Sequence, residues 1–377
     1  MKSLQKSVCS GVIFSTLFYL VLSQRPCNLY CDENPSSPMS FGGTTNKGST
    51  GAPGKRGGKG DVGQKGAKGD ISECQCSVEE NFERRIQALE IDSDNRRNIP
   101  TSCKQIQQLT NSYNNGIYYI QDSNGMKYPV YCDMAIDGGG WTLVASIHEN
   151  NIRSTGRCSP GDRWSSEHGP EKGAQVGAEN WMNYNTFGDV ASATSDDYKS
   201  QAYFDLQARD VMIWQVPNDT PLANYSSASY LQYRTTNGFL RQYGGNLYRL
   251  YKDHFPIKSG VYSRPADNGP AIPVTFDKGN ANEVMRHLGP NIRNGIEPGY
   301  IQFRIINTEG SAYALCPGTR SVSQGNNEHH CIGSTVDNVN ARYCGDFASF
   351  AYDQYGTGNG WNTDMILLKS TFLIFYR

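Results

Sequence analysis

The chain has 377 residues, with 35 Lys and Arg against 36 Asp and Glu, a net charge of −1, and 37% apolar residues. That balance speaks against a nucleic-acid partner, because neutralising phosphates needs a clustered surplus of cations. Eleven cysteines, less Cys9 in the leader described next, leave ten (11 − 1), an even number suited to disulfides in an oxidising compartment.

Met1, Lys2 and Lys6 begin a basic stretch, residues 11–22 are an apolar run, and Val21, Leu22 and Ser23 precede a cut at Gln24. This pattern predicts a secretory signal over 1–23. No later stretch approaches the ~18–20 apolar residues of a membrane span, so the expectation is a secreted extracellular protein. Residues 24–47 are a polar linker rich in Ser, Pro, Gly and Asn that buries too little apolar surface to order alone. Eight Gly-X-Y triplets fill 48–71. Only glycine fits the axis of a collagen triple helix, so the strict register predicts a trimerising collagen-like stalk rather than a flexible linker. Lys55, Arg56, Lys59, Lys65 and Lys68 there are read as interchain pairs with Asp61 and Asp70. Cys27, Cys31, Cys74 and Cys76 flank the stalk and are candidates for interchain disulfides. Val78, Phe82, Ile86 and Leu89 form a helical stripe, which predicts a short coiled-coil neck over 72–99. Pro100 ends it, and 100–377 reads as one head.

The head opens with Cys103, then GIYYI from Gly116, the turn residues DSNG from Asp122, and YPVYCDM from Tyr128. Two β-rich runs around such a turn predict a hairpin closed by a disulfide, and GGGWTLV from Gly138 predicts a further strand. This order resembles the start of fibrinogen-like domains. Further on stand HENN from His148, GDRWSS from Gly161, NYNTFG from Asn183, ATSDDYK from Ala193, DNGP from Asp267, NEHHCIG from Asn327 and CGDF from Cys344. These resemble the motifs of the intelectins (X-type lectins) over essentially the whole head, set behind a ficolin-like collagen stalk.

The resemblance implies an α+β head with twisted mixed β-sheets, short helices and long calcium-bound loops. It implies disulfides Cys103 with Cys132, Cys158 with Cys344, and Cys316 with Cys331. A further family bridge would join the regions near Tyr262 and Gly325, and here both its cysteines are missing together. The chemistry concentrates in Asn326, Asn327, Glu328, His329, His330 and Asp346, where hard oxygen donors suit Ca2+. By resemblance Asn326, Glu328 and Asp346 hold an ion that binds the 1,2-diol of a terminal sugar. His329 hydrogen-bonds a hydroxyl, and Tyr352 and Trp361 form two aromatic walls. The glutamate the family uses for both metal and sugar lacks a clear counterpart, and Asp337 or Asn338 stands in its place. Structural calcium would take the carbonyls of His148 and Gly156 together with Glu149, Asn151, Gly161, Asp162 and Asp197.

Other readings exist for the same residues. His329 and His330 beside Cys331 could hold zinc, but an oxidised Cys331 and the lack of a second ligand pair oppose it. His148 and Glu149 lack the second histidine of a metalloprotease helix. Trp361 and Tyr352 could pack a core, as aromatics commonly do. Asn218 and Asn224 head glycosylation sequons expected on the surface, the first weakened by Pro221. The expectation is a calcium-dependent multivalent lectin for terminal diols of microbial glycans in innate immunity, a homotrimer or higher oligomer and not an enzyme. A protease partner could dock on the stalk lysines. Its rivals are an acetyl-group-binding lectin of the ficolin kind and a matrix or adhesion protein whose calcium is purely structural.

Overall fold

The computed structural model describes residues 99–148, 163–164, 178–258, 262–263, 265–307, 312–322, 327–335 and 356–377, all within the unit Gln75–Arg377. The expected leader, linker, stalk and neck, with Cys27, Cys31, Cys74 and Cys76, lie outside the described residues, as do Cys158 and Cys344.

Helix α1 (Cys103–Thr110) begins at Ser102, whose side chain accepts from Gln105 N, and stops at Asn111 in left-handed backbone with φ 51°. Both are the end residues that helix chemistry favours. The expected hairpin follows as β1 (Gly116–Gln121) and β2 (Lys127–Asp133). Asp122 closes its turn by accepting from Asn124 N at 2.9 Å and Met126 N at 2.7 Å. The Cys103–Cys132 disulfide, with Cα atoms 5.5 Å apart, ties α1 to β2 rather than one strand of the hairpin to the other.

The further strands are β3 (Trp141–His148), β4 (Tyr198–Lys199), β5 (Val211–Pro217), β6 (Leu231–Arg234), β7 (Ala271–Pro273) and β8 (Thr275–Lys278). After them come β9 (Ile296–Pro298), β10 (Tyr300–Ile306), β11 (Ala312–Cys316), β12 (Thr319–Ser321), β13 (Ile332–Thr335) and β14 (Ser370–Tyr376). One sheet runs β1-β2-β3-β14-β5-β6-β8 with β4 on β3, a second runs β13-β11-β10-β7, and β12 pairs with β9. Alternation along the central strands covers both faces of the large sheet. Phe372, Ile374, Tyr376, Val211 and Ile213 enter one core, while Leu373, Phe375, Met212, Trp214 and Val216 enter the other. This two-sided burial explains why β3, β5 and β14 read as nearly continuous apolar runs.

The fold is α+β, but the expectation of mixed sheets is corrected: among the described residues every strand pairing is antiparallel. A parallel pair needs a crossover of a dozen or more residues, usually helical. The longest helix described, α1, has eight residues. No described helix is long and apolar enough to cross a membrane.

Candidate functional site

Asn327–His330 form a single 3-10 turn between β12 and β13. Cys331, next in the chain, is bonded to Cys316 at the end of β11, with Cα atoms 4.2 Å apart. Leu315 pairs with Ile332 directly beyond it, so a disulfide and a strand ladder both hold the turn. Inside the turn, His330 Nε2 meets the Thr319 hydroxyl of β12. His329 is only 2% exposed, and its ring lies 5.5 Å from that of Trp361 at an interplanar angle of 31°. Burial lowers the His329 pKa to about 4, partly offset by a hydrogen bond with the Trp361 backbone, so the imidazole is neutral at physiological pH.

Trp361 is half-buried on a segment pinned through its backbone. Gly289 N donates to Asn362 O at 2.9 Å, Asn291 N to Gly360 O at 3.0 Å, and Asp364 N to His287 O at 2.9 Å. His287 Nδ1 also lies 2.8 Å from Asp364 Oδ2. A side chain at position 289 would bring Cβ within 2.4 Å of Gly360 O, so glycine is what lets this segment sit so close.

A second group forms where β3 ends. Asp197, fully buried, accepts from His148 N at 2.8 Å on Oδ1 and from Arg163 N at 2.8 Å on Oδ2. One carboxylate thus ties the end of β3 to residue 163. Carboxylate oxygen is the hard donor type that a dication such as Ca2+ takes. Trp164 donates to Ser146 O at 2.8 Å and accepts at its own carbonyl from Trp181 Nε1 at 2.9 Å. Gly333 of β13 rests on this pair in left-handed backbone (φ 64°), where Cβ would come within 2.4 Å of Trp181 Nε1 and 2.6 Å of Trp164 O. The histidine turn and the Asp197 node therefore lean on one tryptophan wall.

The structure thus brings together His329 with Trp361, and His148 with Asp197. Glu328 lies in the same turn as His329. Glu149, Asn151, Gly156, Gly161, Asp162, Asn326, Asp337, Asn338, Asp346 and Tyr352 lie outside the described residues. Cys316, His330 and Cys331 do converge, with ligand atoms within 4.8 Å of one another, but both sulfurs are committed to the disulfide, which removes the thiolates that zinc would need. The sequons differ from one another. Asn224 is exposed, whereas Asn218 is half-buried, accepts from the Thr371 hydroxyl at 2.9 Å, and is followed by a Thr220 that is 7% exposed. Asn218 is thus partly exposed, with its Oδ1 held by the central strand β14.

Sequence reasoning missed Trp181 and Lys199. Lys199 is 1% exposed, and its Nζ donates to Asn180 O, to Asn183 O at 2.8 Å and to Asn183 Oδ1 at 3.1 Å, with the Tyr203 ring centroid 4.9 Å away. Desolvation lowers its pKa to about 7. Nothing in the run ATSDDYK signals that its last residue turns inward.

The chain matches no known family profile. It is similar to mouse tenascin-N, 32% identical over 110 residues that make up 29% of this chain and 6% of that protein. It is also similar to human tenascin-N, 36% identical over 69 residues, 18% of this chain and 5% of that protein. The chain therefore spans only a small part of the length of the curated relatives it matches. Among solved structures it is similar to the fibrinogen-like globe domain of human ANGPTL6, at a TM-score of 0.21 and 12% identity over 37% of this chain and 48% of that one.

Proposed function

We propose that the head is a fibrinogen-like, intelectin-type carbohydrate-recognition domain of a secreted, non-enzymatic protein that binds terminal 1,2-diols through calcium. The observation that supports this most is the neutral, buried His329 set against Trp361 in a disulfide-braced turn. An imidazole can hydrogen-bond a sugar hydroxyl, and an aromatic ring beside it suits the diol carbons. Asn326, Glu328 and Asp346, with Asp337 or Asn338, would hold the exchangeable ion. Asp197, Glu149, Asn151, Gly161 and Asp162, with carbonyls of His148 and Gly156, would hold structural ions. The calcium would supply two coordination positions for the sugar hydroxyls. Presented on a trimer, weak sites would gain avidity against repetitive microbial glycans.

A second reading, a matrix or adhesion component with structural calcium only, draws on the sequence likeness to tenascin-N. Glycan-array binding of the oligomer in calcium, eluted separately with chelator, glycerol and N-acetylglucosamine, separates these readings. Release by chelator and glycerol is expected. Release by N-acetylglucosamine with glycerol inert would move the head to the acetyl-binding class, and absence of glycan binding would leave the adhesion reading.

A further inference from the structure

At one end of the large sheet, where β3 and β5 begin and β6 and β14 finish, lies a cleft of about 520 Å3 lined by Lys104, Asp137, Arg209, Asp210, Arg234 and Arg377. Its volume falls in the ordinary range of ligand clefts, ~300–1,000 Å3. Of the two acids in the lining, Asp137 is paired with cations and Asp210 is held by neutral donors, so the cations outnumber the acids four to two. One oxygen of Asp137 serves both Arg234 and Arg377. Asp210 Oδ1 accepts from the Thr235 hydroxyl at 2.8 Å and Gly238 N at 2.9 Å. Lys104 Nζ donates to the neutral Gln107 Oε1 at 3.0 Å, and among the described residues neither Lys104 nor the exposed Arg209 forms an ion pair. Two cations therefore face the cleft without a carboxylate of their own.

The backbone around the cleft is built to hold them. Asp137 sits in left-handed backbone (φ 48°, ψ 47°), a conformation that non-glycine residues rarely keep without a reason. Gly140, at φ 81°, lets α1 approach until a Cβ there would lie 2.9 Å from Lys104 Cα. The occupant can be narrowed by chemistry. The strands ending here are paired with their neighbours, so no free sheet edge invites a peptide strand. The Trp141 ring is covered by the Arg377 guanidinium at 4.3 Å, so it offers no face on which a base could stack. What remains is paired cationic donors in a polar recess, which is oxyanion chemistry.

We propose that this cleft binds a carboxylate or sulfate group carried by an acidic oligosaccharide, independently of calcium and apart from the His329 turn. The test uses the full-length protein in EDTA, which silences any calcium-dependent binding, titrated calorimetrically with a heparin tetrasaccharide and with a tetragalacturonate. Binding to at least one probe is expected, weakening steeply with salt. The Lys104→Ala/Arg209→Ala variant should lose at least about tenfold in affinity, while Lys127→Ala, at an exposed strand lysine outside the cleft, stays near wild type. A heparin preference assigns the site to sulfate and a galacturonate preference to carboxylate. If the double variant fails to fold, Arg209→Gln alone at its exposed side chain makes the same comparison. Equal affinity of wild type and variant, no binding of either probe at physiological salt, or tighter binding of a single-stranded oligonucleotide of equal charge overturns the proposal.

Discussion

Asp197 shows how much one side chain can organise: a fully buried carboxylate fixes two backbone N–H groups from separate segments. Changing Asp197 to Asn turns one acceptor into a donor facing an N–H, and leaving a buried group unsatisfied costs about 1–3 kcal/mol. Thermal melts should show that loss in chelator, and added calcium should raise the wild-type midpoint more than that of Asp197→Asn. Trp361→Ala should weaken diol-glycan binding by at least about tenfold on an array, because the ring beside His329 is removed. Retained affinity would detach Trp361 from the site. Tyr131 gives a pH test. Burial, helped by Asp133, raises its pKa from 10.0 to about 12. A raised folded-state pKa contributes stability that is fully present below pH 10 and is lost as pH rises through about 12. Alkaline denaturation followed by phenolate absorbance should therefore show Tyr131 ionising late, together with unfolding, and Tyr131→Phe should flatten the stability slope in that window.

At the scale of elements, the histidine turn depends on its covalent brace and on glycine. The Cys316–Cys331 loop spans 15 residues, and a loop of that length is worth ~3 kcal/mol in the chain-entropy account. Cys316→Ser/Cys331→Ser should fall in denaturant midpoint accordingly and lose glycan affinity with it. Gly333→Ala should cost about 1–3 kcal/mol, since φ 64° and the tryptophan wall both reject a Cβ. The β1–β2 hairpin was legible because its turn residues and alternating runs are local. So was β3, announced by GGGWTLV from Gly138. The Trp164–Trp181 wall was not legible: it joins residues 17 apart through a side chain and a carbonyl, and periodicity carries no trace of such a contact. The antiparallel character of the sheets was likewise hidden, since pairing direction depends on which distant strands meet. The contact of Asn218 Oδ1 with the Thr371 hydroxyl, 153 residues away, was hidden for a related reason, since a sequon is read locally.

For the whole molecule, the proposed lectin activity is a matter of number. A head of millimolar affinity, worth only ~4 kcal/mol, should bind clustered glycans ~10²–10⁴-fold more weakly when expressed alone as 100–377 than as the full chain. Light scattering and surface binding on the two forms would check this, and equal avidity would remove the trimeric stalk from the account.

The order of strands in the large sheet also bears on how the protein is made. Strand β14, the last of the described strands in sequence, lies in the middle, between β3 and β5. On a ribosome the chain is delivered from its N-terminus, so the two halves of the sheet must wait, each with an unpaired apolar edge, until residues 370–376 emerge. Such non-local closure is slow. The nascent head is thus most exposed to aggregation until residues 370–376 emerge, and a variant lacking those residues would leave no partly working product but two open apolar edges.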